Sequence, residues 1–103
     1  MLYRKDKEIV RVDRGSGRKI LGPLRGRIEN IVITPIQREH VIYDFLVLDS
    51  EFDVSFFKEN IAGRFCCLTS IPAGKSHDEN IILVIENASH NIDFKIILLT
   101  REK

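Results

Sequence analysis

The stretch that decides the fold reads Val41-Ile-Tyr-Asp-Phe-Leu-Val-Leu-Asp49. Val, Ile, Tyr and Phe suit a pleated, half-buried surface, so the stretch predicts a β-strand. A second apolar run, residues 28–34, precedes it and is joined to it by the polar link of residues 35–40. The link begins with a proline, which cannot donate a hydrogen bond to a sheet. We therefore predict a hairpin loop between two antiparallel neighbours.

The rest of the chain repeats this pattern of short apolar segments and polar turns. The segments recur at about 8–12 residues, a spacing typical of sandwiches and barrels, and no helical stripe extends over ten or more residues. We predict an all-β fold: an antiparallel β-sandwich or barrel of about 6–8 strands, formed by residues 26–103. Residues 58–63 break the alternation and are predicted as a loop or a single helical turn.

The apolar positions also predict which side chains lie inside. We expect Phe45, Val47, Leu83 and Ile85 to lie in the core. Residues 81–85 and 96–99 are apolar at every position, whereas an antiparallel strand with one face in water should alternate. Either these strands lie centrally under other elements, or another chain covers their outer face, which points to an oligomer.

Length and composition are those of an ordinary globular domain. The chain has 103 residues, of which 44% are hydrophobic and 30% charged, enough for one domain with a core. No apolar run approaches the roughly 20 residues that span a bilayer, so we expect no membrane partner. The first residues lack the apolar core of a signal peptide, so we expect a chain made and kept in a cytoplasm.

The charge is unevenly distributed. Residues 1–27 hold nine basic and three acidic side chains, and residues 28–103 hold seven basic and twelve acidic ones. The first 25 residues have few large apolar groups, so we predict a basic N-terminal arm or hairpin, turning at residues 14–17, that gains its order from a partner. Removing residues 1–21 should then leave a folded sandwich. The predicted partner-binding residues are Arg4, Lys5, Lys7, Arg11, Arg14, Arg18, Lys19 and Arg25.

Three interpretations of this arm remain open: a solvated charged face, a contact with an acidic neighbouring copy, and a nucleic-acid contact. The arm contains one aromatic residue, Tyr3, and so lacks the interleaved rings of a single-strand binder. We therefore do not expect nucleic acid as the partner.

Several short patterns resemble chemical motifs but lack essential parts. Gly74-Lys-Ser76 is the tail of a phosphate-binding loop, but Thr69 stands where the loop's first glycine is required. Asp49, Glu51 and Asp53 alternate as calcium ligands do, without that loop's glycine or its distant glutamate, and are predicted as turn acids.

The cysteines and histidines also fail to form a site in sequence. Cys66 and Cys67 are adjacent and are predicted as a reduced pair with one thiol packed inside. His77-Asp-Glu79 has no second histidine at ligand spacing, and His40 and His90 lie in other predicted loops. We predict no catalytic, metal or cofactor-binding residues, no cofactor, and a protein that is not an enzyme.

A resemblance to a known family covers residues 26–99. It rests on the order and spacing of Gly26-Arg-Ile-Glu-Asn-Ile-Val-Ile-Thr-Pro35, Tyr43-Asp-Phe-Leu-Val-Leu-Asp49, Asp53-Val54, Ile71-Pro72 and Leu83-Val-Ile-Glu-Asn-Ala88. This order resembles that of small virion proteins of tailed phages. The chain departs from the family where Ser50-Glu-Phe52 replaces the usual glycine between two aspartates. The resemblance implies a non-enzymatic, β-rich structural protein that coats the capsid or sits in the head–tail assembly.

The expected function follows from the resemblance and the charge distribution together. We expect a phage virion structural protein that decorates or stabilises the capsid, or sits in the head–tail assembly, docked through its basic arm. Its partners would be copies of itself and other virion proteins of the capsid or connector, in a virion assembled in the host cytoplasm. The alternatives are a cytoplasmic β-sandwich protein-interaction module and a nucleic-acid-binding β-barrel, whose binding would weaken steeply with salt.

Overall fold

The computed structural model describes residues 2–73 and 79–102. Within these ranges the chain forms eight strands and no helix, and so it contains no helix that is long and apolar enough to cross a membrane. The strands are β1 (Leu2–Arg11), β2 (Gly17–Leu24), β3 (Arg27–Pro35), β4 (Ile42–Leu48), β5 (Val54–Ala62), β6 (Phe65–Pro72), β7 (Glu79–Glu86) and β8 (Asp93–Glu102).

The strands form two four-stranded sheets. Sheet I has the order β1-β8-β3-β6, and sheet II has the order β2-β7-β4-β5. Every neighbouring pair is antiparallel. The prediction of an all-β, antiparallel fold is confirmed.

The chain changes sheet at every link between strands except that between β4 and β5. This alternation, with β1 beside β8 and β2 beside β7, is the jelly-roll order of an eight-stranded, two-sheet fold. The predicted hairpin between residues 28–34 and 41–49 is therefore wrong. β3 pairs with β8 and β6 while β4 pairs with β5 and β7, so the link of residues 36–41 crosses from one sheet to the other.

The predicted loop at residues 58–63 is also wrong, because β5 continues to Ala62. β5 is the edge strand of sheet II, and most of its side chains are exposed. Its sequence therefore lacks the alternation of apolar and polar residues that would indicate a strand. The register with β4 shifts between Tyr43 and Phe45, and Asn60 has a φ of 54° on the bulged side. An extra residue of this kind is what a β-bulge places in one strand.

The core lies between the two sheets. Phe45, Val47, Leu83 and Ile85 are fully buried in it, as predicted. Side chains of sheet I enter the same cluster from the other side, with Phe94 among the largest. The two sheets thus pack face to face as in a β-sandwich, with alternate residues of each strand turned inward.

The separate N-terminal arm is not confirmed. β1 pairs with β8 along its whole length, and β2 pairs with β7, so the basic segment supplies one edge strand to each sheet. The predicted turn is present, closed by backbone hydrogen bonds between Asp13 and Ser16 (2.9 and 3.2 Å), but the strands on either side enter different sheets. The buried apolar side chains of this segment are Val10, Val12, Leu21 and Leu24.

Candidate partner-binding faces

The outer face of sheet I is basic. Val10 on β1 points into the core, so Lys5, Lys7 and Arg11 project outward from the same strand. The register then places further basic side chains beside them on β8 and β3. We call this outer face the basic face; among the described residues its cationic side chains are Lys5, Lys7, Arg11, Arg27, Lys95 and Arg101.

Acidic side chains offset only part of this charge. The Arg11 Nε lies 3.3 Å from the Asp93 Oδ1, and the Arg101 Nε lies 3.1 Å from the Glu29 Oε2. Across the described part of the basic face, six cations therefore stand against these two carboxylates. The face is positive overall.

The middle of the basic face is aliphatic. Lys7 on β1 is the register partner of Ile97 on β8, which in turn lies beside Val32 on β3. In the neighbouring row of register partners, the residue on β6 is Leu68, whose side chain is 83% exposed. The face combines a row of cations along one edge with an apolar centre.

The outer face of sheet II carries apolar side chains on all four strands, with Arg18 the one charged residue in its two main rows, and we call it the apolar face. From β2 to β5, one row of register partners consists of Ile20, Ile82, Leu48 and Val54, and the next of Arg18, Val84, Leu46 and Phe57. Ile82 and Val84 point away from the core yet are buried, because their neighbours on the face cover them. Ile20 and Phe57 remain 62% and 49% exposed.

Acidic side chains border the apolar face at both ends. Asp44 and Glu86 are register partners just beyond the apolar rows, and Asn87 Nδ2 donates to Asp44 Oδ2 at 2.8 Å. At the other end, the β4–β5 turn carries Glu51 and Asp53. The border of the apolar face is therefore opposite in sign to the basic face.

The eight predicted partner-binding residues are divided between these surfaces. Lys5, Lys7 and Arg11 lie on the basic face, whereas Arg18 lies on the apolar face. Arg14 lies in the turn between β1 and β2, with a φ of 54°.

The other predicted partner-binding residues lie along the junction of the two edge strands or in the next link. Arg4 pairs with Asp6 (Nε to Oδ1, 3.1 Å) and donates from Nη1 to the carbonyl oxygen of Pro23 on β2 at 2.9 Å. Lys19 Nζ lies 4.0 Å from Glu8 Oε2 on β1. Arg25 is exposed in the link between β2 and β3.

Sequence reasoning missed three members of the basic face: Arg27, Lys95 and Arg101. These residues lie outside the basic segment of residues 1–25, and only the pairing of β8 with both β1 and β3 brings them beside it. The alternation of β8 does contain a signal, because Lys95 and Arg101 fall on the same parity, opposite to that of the buried Phe94.

The turn acids predicted from residues 49–53 have a structural role. Asp49 is buried, and its Oδ1 accepts hydrogen bonds from the backbone N–H groups of Glu51 (2.9 Å) and Asp53 (3.0 Å). This is the geometry by which an aspartate closes a tight turn. The side chain of Asp49 therefore stabilises the β4–β5 hairpin.

An open groove of about 440 Å³ lies at one end of the molecule. In it the Ser89 Oγ lies 2.9 Å from the His90 Nδ1 and accepts a hydrogen bond from the Ile42 backbone N–H at 3.0 Å. The Ser89 backbone N–H donates to the Ile42 carbonyl oxygen at 2.8 Å. Ser89 thereby ties the β7–β8 link to the start of β4. The groove is lined by Glu39, His40, Ile42, Ala62, Gly63, Ser89 and His90.

The remaining candidate motifs contribute no assembled site in the described ranges. Cys66 and Cys67 are both free, the first exposed and the second half-buried. Residues 2–73 and 79–102 contain no group of three or more His, Cys, Asp or Glu side chains placed to hold a metal ion. The phosphate-loop tail Gly74-Lys-Ser76 and the first two residues of His77-Asp-Glu79 lie outside the described residues.

The sequence was also compared with known proteins. No protein-family model matches this chain, and no curated protein matches it in sequence.

Proposed function

We propose that this chain is a non-enzymatic structural protein of a tailed-phage particle, where it decorates or stabilises the capsid or forms part of the head–tail assembly. It would act in the virion, assembled in the host cytoplasm, with copies of itself and capsid or connector proteins as partners. In this proposal, docking uses the two outer sheet faces in place of a separate arm.

The apolar face is the observation that carries the proposal. Ile20, Val54 and Phe57 leave about half or more of their surfaces exposed, on a face whose other row members are aliphatic apart from Arg18. Exposed apolar side chains grouped on one face mark a surface that gains free energy when another molecule removes it from water. A structural subunit that is held among neighbours provides that cover.

Two further observations support a virion role. The resemblance over residues 26–99 is to small virion proteins, and the jelly-roll order is one that viral capsid domains use. The same order also occurs in lectins and cupins, so the fold alone does not select among these functions. The proposal therefore rests on the apolar face together with the resemblance and the fold.

A nucleic-acid-binding role is the second candidate, and the basic face favours it. Six cations on one sheet could follow a phosphate backbone. Tyr3 is the one aromatic residue among the described outward positions of β1, β3, β6 and β8, which provides little for base stacking. Binding that is dominated by phosphate contacts should weaken steeply between low and moderate salt, and protein docking on the apolar face should not.

Particle binding tests the proposal directly. Particles of the parent phage assembled without this chain are incubated with the purified protein and then sedimented. We expect saturable binding by the natural chain, loss of binding for Ile20→Asp, and retained binding for Ile36→Asp. Ile36 is a matched control because it is 50% exposed but lies in the β3–β4 link. Absence of the chain from natural particles, measured by mass spectrometry, would refute the proposal.

A further inference from the structure

The two outer faces of this chain complement each other. We propose that copies associate head to tail, with the basic face of one copy against the apolar face of the next. This inference deepens the proposed structural role by naming one partner, a second copy of the same chain, and the surfaces through which the copies meet.

Charge is the first argument. On the basic face, Lys5 and Lys7 stand along the β1 edge of an apolar centre. On the apolar face, the border acids Asp44 and Glu86 stand at one end of an apolar centre, and Arg18 on the β2 edge is the one cation within its two rows, so the acids exceed the cations. Placing one face on the other lets cations meet carboxylates at the border while aliphatic side chains meet in the middle. Complementary potentials of this kind select a partner and fix its register.

The two symmetric alternatives are less favourable. Two basic faces packed together would bring the excess cations of both copies to one interface, at a cost. Two apolar faces packed together would bury the aliphatic rows but would place the border acids of both copies at one interface and leave the basic face without a partner. Only the head-to-tail contact uses both surfaces.

Size sets the expected strength of the contact. Four strands about 4.8 Å apart and about seven residues long, at about 3.3 Å per residue, make a face of about 19 by 23 Å. Such a face covers about 440 Å², roughly half of the about 800 Å² that each partner buries in a standard specific interface. The pairwise contact should therefore be weak and concentration-dependent, and repetition within an assembly would strengthen it.

A head-to-tail contact differs from a twofold dimer in its consequences. Each copy keeps one face open, so association continues into a chain or closes into a ring. If the basic face is blocked in one copy and the apolar face in a second copy, one contact remains possible: the apolar face of the first copy against the basic face of the second. This property allows the arrangement to be tested in solution, without a particle.

The experiment uses two full-length variants. Lys5→Glu/Lys7→Glu blocks the basic face, and Ile20→Asp/Phe57→Asp blocks the apolar face. All four side chains are exposed, so the folds should be retained, which circular dichroism checks. Lys5→Gln/Lys7→Gln removes the charge without reversing it and replaces the first variant if that one does not fold.

Sedimentation velocity measures the association state of each sample. We expect the natural chain to gain mass with concentration beyond a dimer, each variant alone to stay monomeric, and a one-to-one mixture of the two to form a dimer and stop there. Arg38→Glu reverses a charge at an exposed position in the β3–β4 link, away from both faces, and should associate as the natural chain does.

Three outcomes would overturn the inference. Dimerisation of the Lys5→Glu/Lys7→Glu variant alone would indicate twofold packing of apolar faces. Association of the Ile20→Asp/Phe57→Asp variant alone would indicate contact through the basic face only. A mixture that remains monomeric, under conditions where the natural chain associates, would exclude the head-to-tail contact. Because no particle is used, any of these results leaves the proposed virion role to be decided by particle binding.

Discussion

Tyr43 of sheet II and Phe94 of sheet I meet in the core, with their ring centroids 4.6 Å apart and their planes tilted by 58°. Such a tilted aromatic contact adds to the free energy gained by burying the two rings. The Tyr43 hydroxyl also donates a hydrogen bond to the Gly63 carbonyl oxygen at 2.7 Å. One side chain therefore joins the two sheets and fixes the link between β5 and β6.

Tyr43→Phe tests the value of that hydrogen bond. The ring contact with Phe94 is kept, while the Gly63 carbonyl oxygen loses its donor. We expect the free energy of unfolding to fall by about 1 kcal/mol, measured by urea denaturation. Tyr3→Phe, at an exposed position, should leave the midpoint unchanged. A Tyr43→Phe variant as stable as the natural chain would show that the hydrogen bond contributes nothing net.

The same residue predicts how stability changes at alkaline pH. Burial raises the pKa of Tyr43 above its ordinary value of 10.0, because the charged phenolate would lose its hydration. Above about pH 10, the unfolded chain releases this proton while the folded chain keeps it, so the free energy of unfolding should decline as pH rises further.

The measurement is denaturation between pH 9 and 12, with Tyr3→Phe as the background so that Tyr43 is the one remaining tyrosine. Its absorbance change should coincide with unfolding. Adding Tyr43→Phe should flatten the decline over this range, and an equally steep decline in that variant would assign the effect to other groups.

Leu83→Ala tests the inward phase of β7. Leu83 is fully buried between the sheets, and its truncation should lower the free energy of unfolding by about 2–5 kcal/mol. Leu46→Ala is the matched control, because Leu46 points outward on the neighbouring strand and is half-buried. A loss for Leu46→Ala as large as that for Leu83→Ala would contradict the assignment of inner and outer faces.

Thr100→Val tests a buried hydroxyl. Thr100 is fully buried on β8, and its Oγ1 has no hydrogen-bond partner among the described residues. A valine of similar shape removes that unpaired group. We therefore expect the midpoint of urea denaturation to rise, which corresponds to an increase of about 1 kcal/mol in the free energy of unfolding. Thr34→Val, on the outer face of β3, should give no comparable gain. Destabilisation by Thr100→Val would indicate that the hydroxyl does have a partner.

Deleting residues 1–21 should prevent folding, in contrast to the expectation from the sequence alone. The deletion removes β1 and most of β2, exposes the edges of β8 and β7, and takes Val10 and Leu21 out of the core. Amide NMR dispersion is the measurement. The amide spectrum of Lys5→Gln/Lys7→Gln in the full chain should stay dispersed. This control separates the effect of losing strand pairing from the effect of losing positive charge. A well-dispersed spectrum for the truncated chain would show that β1 and β2 are dispensable.

The sequence by itself determined the local structure of this protein. Alternation and side-chain type are properties of neighbouring residues, so the strands around Phe45 and Leu83, their inward phase and the turn at residues 49–53 could all be predicted. The outward apolar side chains of β7 were visible as well, since five consecutive apolar residues cannot all face one core.

Only the tertiary structure decided which strands are neighbours. Tyr3 lies opposite Arg101, and Gly17 lies opposite Ile85, contacts that join distant parts of the chain and that no local pattern encodes. The basic segment resembled an arm because an edge strand buries one face and holds charged side chains on the other. The basic face likewise exists only because β8 pairs with both β1 and β3, which places Lys95 and Arg101 on the same face as Lys5 and Lys7. Hydrogen bonding between remote strands, selected by burial of a shared core, determines that arrangement.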